Sequence, residues 1–215
     1  MKSKKLLSKK KAKDLFDTLA ANINPESELN WQTPLDLLIA VVLSAQTTDK
    51  SVNKVTEVLW QTCRLPKDYI DLGEDKVRDI IKTIGLYRNK AKSVIGICEK
   101  LLESFNGEVP QTREELQSFP GVGRKTANVV LNVVFKQPVM AVDTHVFRVS
   151  NRIGLADTTT PEKTEDALMK IIPKAHLLHA HHYLILHGRY VCKARKPNCP
   201  ECCVSHICLY KEKTL

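Results

Sequence analysis

Residues 116–127 read Leu116-Gln117-Ser118-Phe119-Pro120-Gly121-Val122-Gly123-Arg124-Lys125-Thr126-Ala127, and this stretch decides how the rest of the chain is read. Two glycines, Gly121 and Gly123, permit a tight turn that a Cβ would obstruct. The turn's backbone N–H groups and the N-terminus of the helix behind it together make a site for an anion such as phosphate. An ordinary helix–turn–helix corner fits the same letters. Lys125 falls in the first turn of the second helix, after Arg124. A free lysine, with a pKa of about 10.4, is neutral in roughly one molecule per thousand near neutral pH, and a drop of about 2 units, or ~2.7 kcal/mol, makes a tenth neutral. The positive helix end, Arg124 and partial burial all push that way. A neutral amine there can attack an electrophilic carbon, whereas a charged one grips phosphate.

Outward from this turn, apolar residues recur three and four apart with no long period-two alternation, which predicts an all-α protein. Thr112-Arg113-Glu114-Glu115 has capping-box spacing and opens a short helix ending at Phe119-Pro120, and Thr126 to Phe135 is helical until Pro138. Upstream, Thr33 caps a helix that begins at Pro34 and lines up Leu35, Leu38, Val41, Val42 and Ala45 on one face. It runs into Gln46-Thr47-Thr48-Asp49, where Thr48 or Asp49 caps a helix bearing Val52, Val55, Leu59 and Trp60, so Gln46 falls in a loop between helices. A helix near Ile80 to Ile84 is expected to stop at a left-handed Gly85 and restart near Asn89, leaving Leu86 and Tyr87 in the turn.

The 215 residues suffice for one large domain or two small ones, with 43% hydrophobic and 27% charged content, as in a globular protein. No apolar run approaches a membrane span, and the start MKSKKLLSKKKAK has no apolar core or cleavage site of a secretory signal, so an intracellular setting is expected. The net charge of +9 is mostly local, because the first thirteen residues hold seven lysines and no acid. That start reads as an arm, either solvated or touching an anionic partner. Ala167 to Pro200 contains no acid but holds Lys170, Lys174, Arg189, Lys193, Arg195, Lys196 and five histidines, which predicts a positive field at one end of the body.

Asp143 follows the apolar pair Ala141-Val142 and precedes a helical run, as a helix N-cap does. Placed near a sugar, its carboxylate can also stabilise the positive charge of glycosidic cleavage or take a nucleophile's proton. His145 reads as a core or backbone-bonded histidine and is not counted as catalytic. Among seven cysteines, Cys63 and Cys98 sit apart in helical patterns and pack as small hydrophobes. The other five crowd into 192–208, with Cys192-x6-Cys199-x2-Cys202-x5-Cys208 suited to a metal site and Cys203 left over. Spacing leaves zinc and an iron–sulfur cluster equally open. Between the first two ligands, Lys193-Ala194-Arg195-Lys196 forms a basic loop that an anchored metal would stiffen into a phosphate clamp.

Leu43-Ser44-Ala45-Gln46-Thr47-Thr48-Asp49, the 119–127 hairpin, the 142–149 segment, Leu186-His187-Gly188-Arg189 and the four cysteines, in that order, resemble the endonuclease III family of helix-hairpin-helix DNA glycosylases from about Leu29 to the C-terminus. The resemblance implies an all-α fold with a six-helix barrel at 25–137 and a second helical domain, 1–24 with 138–215, carrying a [4Fe-4S] cluster on Cys192, Cys199, Cys202 and Cys208. It implies a monomer acting in the cytoplasm, at the nucleoid, on double-stranded DNA with damaged pyrimidines or base-free sites. In that reading DNA crosses a cleft between the domains, Lys125 is the Schiff-base nucleophile and Asp143 the essential carboxylate. Gln46 fills the gap left by a flipped nucleotide and Leu86 wedges into the stack. Gly121, Gly123, Arg124, Arg189, Lys193, Arg195 and Lys196 contact the DNA. An adenine glycosylase or a mismatch thymine glycosylase of the same superfamily is disfavoured, since both lack this lysine. From another class, the competitor is a non-catalytic DNA-binding module with structural zinc. An iron–sulfur electron carrier fits the basic loop and hairpin less well.

Overall fold

The computed structural model describes residues 5–214, among which eleven α-helices and no strands occur. They divide into two compact units, Ser27–Lys136, and Met1–Glu26 together with Gln137–Leu215. In chain order, α1 (Lys9–Asn22) belongs to the discontinuous unit. The continuous one holds α2 (Pro34–Leu43), α3 (Asp49–Leu59), α4 (Pro66–Leu72), α5 (Glu74–Ile81), α6 (Tyr87–Ser104), α7 (Arg113–Gln117) and α8 (Arg124–Val133). Then follow α9 (Thr144–Ile153), α10 (Pro161–Ile171) and α11 (Lys174–Tyr190).

The continuous unit is built around α2. Thr33 and Asp36 cap it reciprocally, the Thr33 hydroxyl accepting from the Asp36 N–H at 3.1 Å and the Asp36 carboxylate accepting from the Thr33 N–H at 2.9 Å. Every side chain from Leu35 to Leu43 is buried, so α2 is a central rod packed by α3, α6 and α8 rather than a helix with one apolar face. Ala45, expected on that face, lies exposed beyond the helix end. Long α6 carries α4 and α5 against it. Cys63 and Cys98 are fully buried, and burial pushes the Cys98 thiol up to about 12, which suits an inert packing residue.

In the discontinuous unit α11 packs against α9 and α1, and α10 packs on α9. The close passage of α9 over α11 depends on Gly188, where a Cβ would come within 2.9 Å of His145 Cβ and 3.0 Å of Val149 Cγ2. The lysine-rich start is not an arm over its described length. Ser8 caps α1, and Leu7, Ala12, Leu15, Phe16 and Leu19 are buried in the unit's core while the lysines stay outside. The 12-15-16-19 spacing is a helical stripe hidden by charge density. Lys2 and Lys4 lie outside the described residues.

Of the five histidines in the acid-free stretch, only His179 is exposed. His181, His182 and His187 are buried, and His176 Nε2 meets Asp17 Oδ1 of α1 at 2.6 Å. Exposed charge there comes instead from Lys170, Lys174, Lys193, Arg195 and Lys196. Among the described residues no helix is long and apolar enough to cross a membrane.

Candidate active site and cysteine pocket

The hairpin of 113–133 is α7, a turn and α8. Thr112 realises half of the expected capping box. Its hydroxyl accepts from the Glu115 N–H at 3.3 Å and donates to Glu115 Oε2 at 2.6 Å, so the glutamate binds the hydroxyl. Leu116, Phe119 and Val122 anchor the turn in the core, Phe119 standing edge-on to Phe105 at 5.4 Å. The two glycines differ. Gly121 has φ +77°, and a Cβ there would lie 2.7 Å from Ser93 Oγ, so this position admits only glycine without movement. Gly123 has φ −90° and open space around it. As N-cap of α8 it supplies no capping side chain, which leaves the positive helix end bare of one. Arg124 and Lys125 are the first two residues of α8, both partly buried.

Gln46 and Leu86 occupy exposed turns of the same unit, and both are left-handed, with φ 54° and 59°. The left-handed residue after α5 is therefore Leu86 and not Gly85. Gly85 lies beside the 46–47 turn, where an added Cβ would make ordinary contact with the Gln46 carbonyl oxygen at 3.6 Å. Leu86 instead caps α6, which starts at Tyr87 rather than Asn89, and its carbonyl accepts from the Lys90 N–H at 3.1 Å. An L-residue held there costs about 1–2 kcal/mol, a sign of function when the side chain is 53% exposed. Lys90, itself buried, donates from Nζ to Thr47 Oγ1 at 2.8 Å.

Asp143 is the N-cap of α9, with Oδ1 accepting from the Val146 N–H at 2.7 Å. Beneath it, Ala141 is buried and its carbonyl lies 2.9 Å from His181 Nδ1. His145 Nδ1 stands 3.3 Å from the Arg148 guanidinium, which also donates to the carbonyls of Gly188 at 2.9 Å and Cys192 at 3.1 Å. Arg152, one turn on, donates to the carbonyls of Lys193 at 2.7 Å and Ala194 at 2.6 Å, and lies 3.7 Å from Cys192 Sγ and 4.9 Å over the Tyr210 ring. Sequence reading overlooked His181, Arg148 and Arg152. The i, i+4 spacing of the two arginines was visible, but their carbonyl partners some forty residues away were not.

Cys192, Cys199, Cys202 and Cys208 line one pocket with Ile153, His187 and Tyr210, while Cys203 is absent from its wall. His187 Nε2 lies 3.7 Å from Cys202 Sγ, and the Tyr210 N–H donates to Cys208 Sγ at 3.4 Å. Burial pushes the Cys202 thiol up to about 11. Among the described residues no three Cys, His, Asp or Glu side chains close around a single ion. Lys193, Ala194, Arg195 and Lys196 form the exposed loop between the first two cysteines; Arg189 is partly buried at the end of α11.

Residues 39–174 match the HhH-GPD superfamily of base excision DNA repair proteins. Endonuclease III of Haemophilus influenzae is 52% identical over 192 residues, covering 89% of this chain and 91% of the relative, and that of Escherichia coli K12 is alike in all three measures. The chain belongs to the endonuclease III family. Membership makes it a base excision repair enzyme, a DNA glycosylase with apurinic-site lyase activity, and bears out the all-helical helix-hairpin-helix fold. Two solved structures of endonuclease III with DNA, one a trapped covalent intermediate and one non-covalent, superpose with TM-score 0.90 at 47% identity over 95% of this chain and 97% and 96% of theirs. A thermostable thymine-DNA glycosylase, 23% identical over 94% of this chain and 96% of its own, shares the fold with TM-score 0.82.

Proposed function

We propose that this endonuclease III family member removes oxidised or reduced pyrimidines from double-stranded DNA and cuts the base-free site, with Lys125 as nucleophile and Asp143 as its carboxylate. The observation that carries the reading is Lys125 in the first turn of α8, at a bare positive helix end behind the Gly121 turn. That end favours the neutral amine and phosphate alike. The covalent intermediate trapped in the related endonuclease III–DNA structure supports a mechanism through a protein–DNA bond.

The neutral Lys125 amine attacks C1′, the glycosidic bond breaks, and the base departs with the bonding electrons. Asp143, ionised, stabilises the positive charge spreading over the sugar and takes the proton that the attacking nitrogen sheds. The cap engages Oδ1, which fixes the carboxylate's orientation before substrate arrives. The sugar ring then opens, leaving a protonated imine between Lys125 and C1′. This cation acidifies the C2′ proton, whose loss expels the 3′ phosphate by β-elimination. Gln46 occupies the gap in the duplex and Leu86 wedges the stack, offsetting the few kcal/mol of base flipping. Gly121, Gly123 and Arg124 receive phosphate at the hairpin, and Arg189, Lys193, Arg195 and Lys196 neutralise it elsewhere.

Cys192, Cys199, Cys202 and Cys208 hold a [4Fe-4S] cluster in this reading. Four thiols line one pocket wall, a donor set that fits zinc or an iron–sulfur cluster, and membership of the endonuclease III family favours the cluster. The cluster supplies a rigid anchor for the Lys193–Lys196 loop. The barrel is 25–137, the cluster domain is 1–24 with 138–215, and the protein works as a monomer at the nucleoid inside the cell.

Product analysis tests the reading. A duplex with one thymine glycol should yield a strand cut 3′ to the lesion, bearing an unsaturated aldehyde. An intact strand with a missing base would mean a monofunctional glycosylase, and untouched DNA a binding module.

A further inference from the structure

The Lys90 ammonium lies where two turns meet. It is carried by the first full turn of α6 and is 4% exposed, a degree of burial that lysine rarely reaches unless paired. Its Nζ donates to Thr47 Oγ1 at 2.8 Å, and that hydroxyl donates onward to the Ala45 carbonyl at 3.3 Å. The relay therefore spans Gln46 from both sides, bridging the residue before it and the residue after it. Gln46 is the left-handed member of this turn. The same helix start holds left-handed Leu86, whose carbonyl accepts from the Lys90 backbone N–H at 3.1 Å. Gly85, the residue before Leu86, lies beside the Gln46 turn, where an added Cβ would stand 3.6 Å from the Gln46 carbonyl oxygen.

We propose that Lys90 is a positioning residue that locks the turns of Gln46 and Leu86 into one rigid unit, so that gap filling and wedging occur together when a nucleotide is extruded. The proposal rests on the reading of Gln46 as filler and Leu86 as wedge. Two exposed residues in strained backbone would otherwise relax independently, since each left-handed conformation is disfavoured for a residue with a Cβ. One buried lysine binds both turns, with its backbone N–H to Leu86 and its side chain to Thr47. Burial draws the Lys90 pKa down, and the Thr47 hydroxyl is an oxygen the buried ammonium meets.

The test is single-turnover base release by Lys90→Met, Gln46→Ala and the double variant, on a lesion in fully paired duplex and on the same lesion opposite a missing base. Methionine keeps the buried stem and deletes the hydrogen bond. On paired duplex Lys90→Met should be slowed about tenfold, and on the gapped substrate, where flipping is already cheap, less than about twofold. Added to Gln46→Ala, it should cost less than about another twofold, because its effect passes through Gln46. Thr47→Val should reproduce the loss and Thr47→Ser should restore the parental rate, which keeps the test decisive if the methionine variant fails to fold. Equal slowing on both substrates, or full multiplication with Gln46→Ala, overturns the proposal while leaving Gln46 as filler. A Gln46→Ala protein as fast as the parent on paired duplex overturns the filler reading itself, and the proposal with it.

Discussion

In the proposed mechanism Asp143 has two jobs that ask for different things. As N-cap of α9 it needs an acceptor oxygen for the Val146 N–H, and at the sugar it needs negative charge. Asparagine supplies the first and not the second. Asp143→Asn should keep the unfolding free energy within about 0.5 kcal/mol of the parent, whereas Asp143→Ala should lose about 1 kcal/mol with the cap. Both should slow base release by about 10²-fold or more. Thermal unfolding and single-turnover rates separate the effects, and an asparagine variant of parental rate would remove the carboxylate from the chemistry. Lys125 and Asp143 could be picked out as candidates from the sequence because each stands in a compact local motif. Lys90 was not, since its Thr47 partner is 43 residues away. Arg152 was hidden in the same way by its 40-residue separation from Cys192.

At the level of helices, α1 shows charge masking an amphipathic stripe. Its docking to α11 involves Asp17, whose carboxyl is held below its ordinary 3.8 by hydrogen bonds from Lys13 and then His176. A carboxyl depressed in the folded state stabilises it above the unfolded value, and that stabilisation disappears as pH falls through the folded value. Asp17→Asn should therefore be less stable than the parent near neutral pH, and the gap should close as pH drops through 3.8 and below. Denaturant titrations across that range check it; a constant gap would mean the pair acts through packing alone. Periodicity sufficed to expect helices around 34–45, 49–60 and 126–135. It could not say that α2 would be covered on every side, because burial depends on which helices surround it. The turn after α5 differs from expectation: Gly85 has the residue type of a left-handed cap, but the left-handed step falls on Leu86, and nothing local in the sequence marks a leucine for it.

In the molecule as a whole, the described C-terminal segment 191–214 contains no helix. A stretch that long without regular structure is uncommon unless something ties it down. Val204 and Ile207 are buried in the core of their unit, and Arg148 and Arg152 bind the backbone near Cys192, but the four pocket cysteines are the strongest candidates for the tie. Purified protein should contain about four irons per chain, and Cys202→Ser should lose them together with its hold on undamaged DNA. The salt slope of binding should flatten by about 0.9 for each phosphate contact that the Lys193–Lys196 loop gives up. One zinc per chain, with binding intact in the variant, would return the site to a structural metal. Lys125 is the residue on which the proposed chemistry turns. Borohydride added during reaction with a lesion-bearing duplex should convert the imine into a stable protein–DNA adduct, whose peptide map places the link on Lys125 and which Lys125→Ala fails to form. An adduct mapping to another residue, or none from protein that binds the duplex and holds its iron, would contradict it.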